Sequence, residues 1–232
     1  MNSAKAKEIV DKIVGQVFGY QNPLSLEQFM SKFAFDIRLP QQVYDSTTNK
    51  PTWTQSTNPT KFIKMNSAFS KQDEDEWDRP AKKLNSIEDI MAAWNDINYS
   101  LTERQLDSEN VAESDNIYTS QNVFRSLDIH GSKNIVFSDY ITDSEFIAAS
   151  QRSKLSNFCI RLDDSVECSN SFGLSWTGKS SNSFFLHACN RMQDSMFCTS
   201  ITDRRFCVAN MQFDEAEYKR LREIVIRWIL TS

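Results

Sequence analysis

The sequence predicts a mainly β protein: a helical N-terminal region, then a short parallel β-helix (a solenoid), capped by a C-terminal α-helix. Three observations carry this reading. A short unit, a polar residue such as Ser, Asn or Asp, then one or two variable residues, then Phe or a similar apolar residue, recurs between Asn122 and Phe206. The intervening residues are rich in Ser, Asn and Asp, with thirteen serines between 144 and 200, which suits turns whose side chains bond nearby backbone. An amphipathic segment from Asp214 to Leu230 follows, with Tyr218, Leu221, Ile224, Val225, Trp228 and Ile229 on one face.

From the N-terminus, residues 4–18 read as a helix. Ile9, Val10, Ile13, Val14, Val17 and Phe18 form one stripe at helical spacing, and Gly19 can end it. A second short helix starts at Ser25 and carries Phe29 and Phe33. Both stripes can pack on the chain's own core or dock on another subunit. From Pro40 to Pro80 no period is visible. The clusters 46–51 and 54–59 are turn-rich, Trp53 and Phe62 are isolated anchors, and Asp73-Glu74-Asp75-Glu76 is an acidic run. An extended segment lying over another surface is expected there, ordered by a neighbouring subunit. Ser86 caps a better helix, and Ile87, Ile90, Met91, Trp94 and Ile97 are expected to be its buried face. Leu101 to Ala112 reads as a polar helix or as a first irregular rung.

The recurring unit has pivots at Phe124, Val136, Phe146, Phe158, Phe172, Phe184, Phe197 and Phe206, with steps of 12, 10, 12, 14, 12, 13 and 9 residues. Adjacent pairs span 22 to 26 residues, which predicts rungs of that length with the phenylalanines stacked inward. Only five glycines are present, so the bends must be made by Asn, Asp and Ser. The solenoid's last rung would leave core and strand edge open, and the C-terminal helix is placed to cover it. The chain thus divides into a helical and extended docking region (1–100), the solenoid (101–213, most regular from about Asn122 to about Gln212) and the capping helix (214–232).

A net charge of −5, with Lys and Arg dispersed, argues against nucleic acid as the main partner. No stretch approaches the roughly 20 apolar residues of a membrane span, and Met1 to Gly19 is interrupted by charges, unlike a signal peptide. Cys159, Cys168, Cys189, Cys198 and Cys207, several nine residues apart, are expected to be reduced and buried. No catalytic, cofactor-binding or metal residue is expected, and the chain reads as a non-enzymatic structural or interaction protein.

The segments SNFCIRLDDSVECSNSF, DSMFCTS and RRFCVANMQF, the last followed by a helix carrying Asp214 and Tyr218, resemble parallel β-helix proteins of large tailed bacteriophages and environmental viral genomes. The resemblance covers about the last half of the chain. It implies a virion component, at the capsid surface or in the tail, assembled in the host cytoplasm, whose N-terminal half holds other protein subunits. Two rivals remain. A carbohydrate-active β-helix, a polysaccharide lyase or hydrolase, would use Asp139, Asp143, Asp163 and Asp164. A cytosolic interaction module similar to the β-helix of the tubulin-cofactor family would use an exposed arginine: Arg161, Arg191, Arg204 or Arg205.

Overall fold

From Asp107 to Ala209 every third residue takes a left-handed backbone conformation, with φ between about +44° and +68°. Glycine fills this role only at Gly131 and Gly173; elsewhere Asn and Asp are frequent, and Phe137, Tyr140 and Trp176 also adopt it. A left-handed φ costs a non-glycine residue roughly 1–2 kcal/mol, and a regular backbone ladder offsets that cost. The N–H of a left-handed residue donates to the carbonyl one rung back, as Phe137 does to Phe124 (3.1 Å) and Ala149 to Val136 (3.0 Å).

The structure, a computed structural model, describes residues 1–58, 61–74 and 76–231. It is a parallel β-solenoid flanked by helices. Glu109 pairs with Gln121, then Lys133, Glu145, Asn157 and Ser169, each twelve residues on. A second ladder runs Asp115, Leu127, Asp139 and Gln151 in the same step. Beyond Ser175 the step persists through single bridges as far as Met196 and Val208. The rung is therefore twelve residues, not 22 to 26. The uneven spacing of the pivots arises because they occupy three different columns of one face: Val136 heads one strand end, whereas Phe146, ten residues later, sits two positions earlier in the next rung.

The inward direction also differs from the sequence expectation. The interior holds four residues per rung, one in every three, and the phenylalanines are not among them. One column is Val123, Ile135, Ile147, Cys159, Ser171 and Ser183; the opposite one begins Ile117, Ile129, Ile141, Ser153 and Ser165. The other diagonal carries serines 114, 126, 138 and 150, then Leu162, Leu174 and Leu186. Apolar side chains thus fill one diagonal in the first rungs and the other from Leu162 on, with serine at the remaining corners in the early rungs and Ser, Thr, Cys or Met there later. A ring as large as Phe has no room there.

The buried serines are satisfied by a repeated motif. Ser138 Oγ donates to the Val136 carbonyl (3.0 Å) and accepts from the Ser150 amide one rung on (3.2 Å). Ser126 does the same with Phe124 and Ser138, and Ser132 with His130 and Ser144. Each hydroxyl therefore uses one donor and one acceptor, removing the penalty for a buried polar group.

The phenylalanines line an outer face, sealed by helices. Helix α1 (Ser3–Phe18) is capped by Asn2, which accepts from the Lys5 amide, and ended by left-handed Gly19. It crosses successive rungs lengthwise, burying the predicted stripe. Phe18 lies 5.4 Å from Phe172 and 5.6 Å from Phe184. Helix α2 (Leu26–Phe33), closed by a Ser25/Gln28 capping box, brings Phe33 to 5.4 Å from Phe172. The apolar surface of residues 4–18 is covered by the chain's own solenoid, so it needs no neighbouring subunit.

The segment after Pro40 is more regular than expected. Strands β1 (Gln41–Tyr44) and β2 (Pro51–Thr54) form an antiparallel hairpin. Strand β3 (Phe62–Lys64) leads into α3 (Met65–Asp73); Asp75 of the acidic run and Pro59 of the second turn cluster lie outside the described residues. Helix α4 (Ile87–Asn95) follows, then β4 (Ser100–Thr102), parallel to β3. These strands close the first rung: Thr52 and Thr102 hydroxyls meet at 2.6 Å, and Gln55 N donates to Asp115 at 2.9 Å. The region is ordered by the solenoid itself. Leu101 to Ala112 is strand, the start of the rungs.

At the far end a short antiparallel pair, Cys207–Val208 with Met211–Gln212, terminates the ladder. Helix α5 (Glu215–Thr231) then lies beside α1. Tyr218 packs 5.5 Å from Phe206 of the final rung, Trp228 lies 5.8 Å from Phe185, and Arg222 donates to the Val17 carbonyl. Among the described residues no helix is long and apolar enough to cross a membrane.

Candidate functional site

Another flank of the solenoid, away from the phenylalanine face, carries exposed Tyr140 and Trp176. Its strands follow the register Asp139, Gln151, Asp163 and Ser175, so the next residues, Tyr140, Arg152, Asp164 and Trp176, climb one column. A groove of about 730 Å³ lies here, lined among others by Arg38, Asp128, Asp139, Tyr140, Arg152 and Asp164.

Asp139 is the unusual member. Its Oδ1 is buried without a hydrogen-bond donor among the described residues. Burial, with Asp128 adding like-charge repulsion, pushes its carboxyl up to about 6, against opposing pulls from Arg38 and Arg152. Asp128 accepts hydrogen bonds from Asn116 and from Gln55 Nε2 (2.7 Å). Arg152 is fixed by Asp163 and by Asp164, the latter at 2.9 Å.

The raised carboxyl has a stability consequence. Asp139 is neutral in both states only well below its ordinary value of 3.8; as pH rises the unfolded carboxyl ionises first, so stability is lost between that value and about 6, and the loss is complete above it. Asp139→Asn should therefore stabilise the protein at pH 7.5 by about 1–2 kcal/mol, the full shift being discounted for partial exposure. The gain should shrink from pH 6 down to pH 4 and vanish by about pH 3. Urea midpoints across that range check this; an unchanged difference at both ends would refute it.

Of the four carboxylates singled out from sequence, Asp139 and Asp164 share the groove. Asp163 lines a neighbouring hollow with Asp36 and Arg161. Asp143 lies on another flank beside Gly131 and Glu145. Asp128, the carboxylate that acts on Asp139, was missed in the sequence; the twelve-residue step, applied back from Tyr140, points to it.

The second feature is α4. Ser86 accepts from the Asp89 amide as its cap, as the sequence predicts. Its apolar face is not buried, however. Ile87, Ile90, Met91, Trp94 and Ile97 are all exposed, from 43% to 62%, because this helix stands away from both solenoid and α1. Phe69 and Leu84 are also exposed. Exposed apolar side chains grouped on one helix face make a candidate interaction surface.

The arginines are engaged in pairs. Arg161 holds Asp36 in two hydrogen bonds (2.9 and 2.8 Å), and Arg191 holds Asp203. Arg205 reaches Asp194, and Arg204 the Asp203 carbonyl. All five cysteines are free and buried; their nine-residue spacing is three steps of the inward period. Burial pushes the Cys168 thiol up to about 11 and raises Cys159 and Cys189 as well, which makes them poor nucleophiles. Among the described residues no group of three or more His, Cys, Asp or Glu could hold a metal. No family model, curated relative or solved structure matches this chain.

Proposed function

We propose that the chain is a non-enzymatic structural and interaction protein that joins other protein subunits through its N-terminal half. The observation that carries this is the unpartnered apolar face of α4. A capped helix presenting Ile87, Ile90, Met91 and Trp94 to solvent has the anchor spacing that fits a hydrophobic groove on a partner. The resemblance of the last half to phage solenoid proteins supplies the setting: a virion component, on the capsid surface or tail. Particles purified from a producing lysate should contain the wild-type chain. Trp94→Asp should be depleted from them about tenfold at equal soluble abundance, consistent with loss of a central aromatic anchor. Particles that lack the wild-type chain, or that incorporate both forms equally, would overturn the reading.

A second reading, a carbohydrate-active solenoid, is favoured by the Asp128–Asp139 pair, since glycoside hydrolysis uses two neighbouring carboxyl groups, one of them raised as Asp139 is. Release of reducing ends from soluble polysaccharide, abolished in Asp139→Asn, would replace the first reading with this one.

A further inference from the structure

Tyr140 and Trp176 are the largest side chains on the groove-bearing flank and are 60% and 66% exposed. The register places them in one column, three rungs apart. With parallel strands about 4.8 Å apart, their backbones are separated by about 14 Å along the solenoid axis. Between them stand Arg152 and Asp164, which hold each other at 2.9 Å. Two rings left in water at a fixed separation on a rigid sheet form a stacking platform.

The charges beside that platform cancel. Asp128, Asp139 and Asp164 face Arg38, Arg152 and Lys154 in the same groove. A polyanion would meet three carboxylates, and a cation would meet three basic groups. A neutral chain of hydroxyls suits both: carboxylates accept from hydroxyls, guanidinium and ammonium donate to them, and sugar C–H faces lie on aromatic rings.

We propose that this groove binds a neutral glycan chain laid along the solenoid axis from Tyr140 towards Trp176. The site is remote in sequence from α4 and independent of the proposed subunit docking.

Calorimetric titration of the full chain with cellohexaose, maltohexaose and chitohexaose, and with a heparin hexasaccharide as the anionic comparison, tests this. At least one neutral oligosaccharide should bind more tightly than heparin. Tyr140→Ala and Trp176→Ala should each weaken it roughly tenfold, the scale of one lost stacking contact, with an unchanged thermal midpoint because both rings are exposed. Trp94→Asp should bind as the wild type does. Absence of binding by all three neutral chains at millimolar concentration, preference for heparin, or binding indifferent to both aromatic substitutions would each overturn the proposal.

Discussion

Phe184→Ala should lower the unfolding free energy by about 3–5 kcal/mol, the usual scale for emptying a fully buried ring. Phe184 is 0% exposed, faces Phe18 at 5.6 Å and lies under the Arg222 guanidinium at 5.0 Å. Because the ring sits outside the solenoid wall, the damage should be directional. Amide exchange in α1 and α5 should accelerate, while the serine-bonded amides of the early rungs, such as those of Ser138 and Ser150, should stay protected. If instead the rungs lose protection together with the helices, helices and solenoid unfold as one cooperative unit and the directional damage predicted here is wrong.

Asp115→Ala should cost about 3 kcal/mol, towards the lower end for breaking a buried ion pair because Arg104 keeps some water contact. Asp115 is fully buried and accepts from Arg104 at N, Nε and Nη2, all within 3.0 Å, and from the Gln55 amide at 2.9 Å. It is the clamp between the first rung and the β1–β2 hairpin. The variant should be cleaved by chymotrypsin at Tyr44 or Trp53 much faster than wild type, with Asp115→Asn intermediate. A cleavage rate that does not change would show that Thr52 and Thr102 hold the hairpin unaided.

The solenoid was legible because short β segments recur between Ser, Asn and Asp clusters. Its period was obscured by relying on phenylalanine. Val136, Phe146 and Phe197 belong to different columns of one face, so their spacing reflects where α1, α2 and α5 need filling, not the rung. A cleaner signal lay in serine: positions 114, 120, 126, 132, 138, 144, 150 and 156 recur every six residues, two per rung, and these point inward. Hydrophobicity alone assigns Phe to a core and Ser to a surface, and this interior is too narrow to obey that rule. Helix α4 was legible as a helix, down to its Ser86 cap, but not as an exposed one. An amphipathic stripe records that a surface must be covered and does not say by what. The groove was half legible, since Asp139 and Asp164 could be named, but Asp128 becomes a neighbour only once the twelve-residue register is known.

The strict register makes the molecule a ruler. Each twelve residues advance the wall by about 4.8 Å, so its length can change only in whole rungs if every column is to stay in phase. A shift of three residues instead turns each inward side chain to the next corner. The exchange of apolar diagonals between Ser153 and Leu162 has the form of such a quarter-turn, and the interior accommodates it because small residues, Ser, Thr or Cys, can stand opposite the larger apolar ones at any corner. Span along the axis and identity of the filling are thereby independent: the first is counted in rungs, the second is set rung by rung.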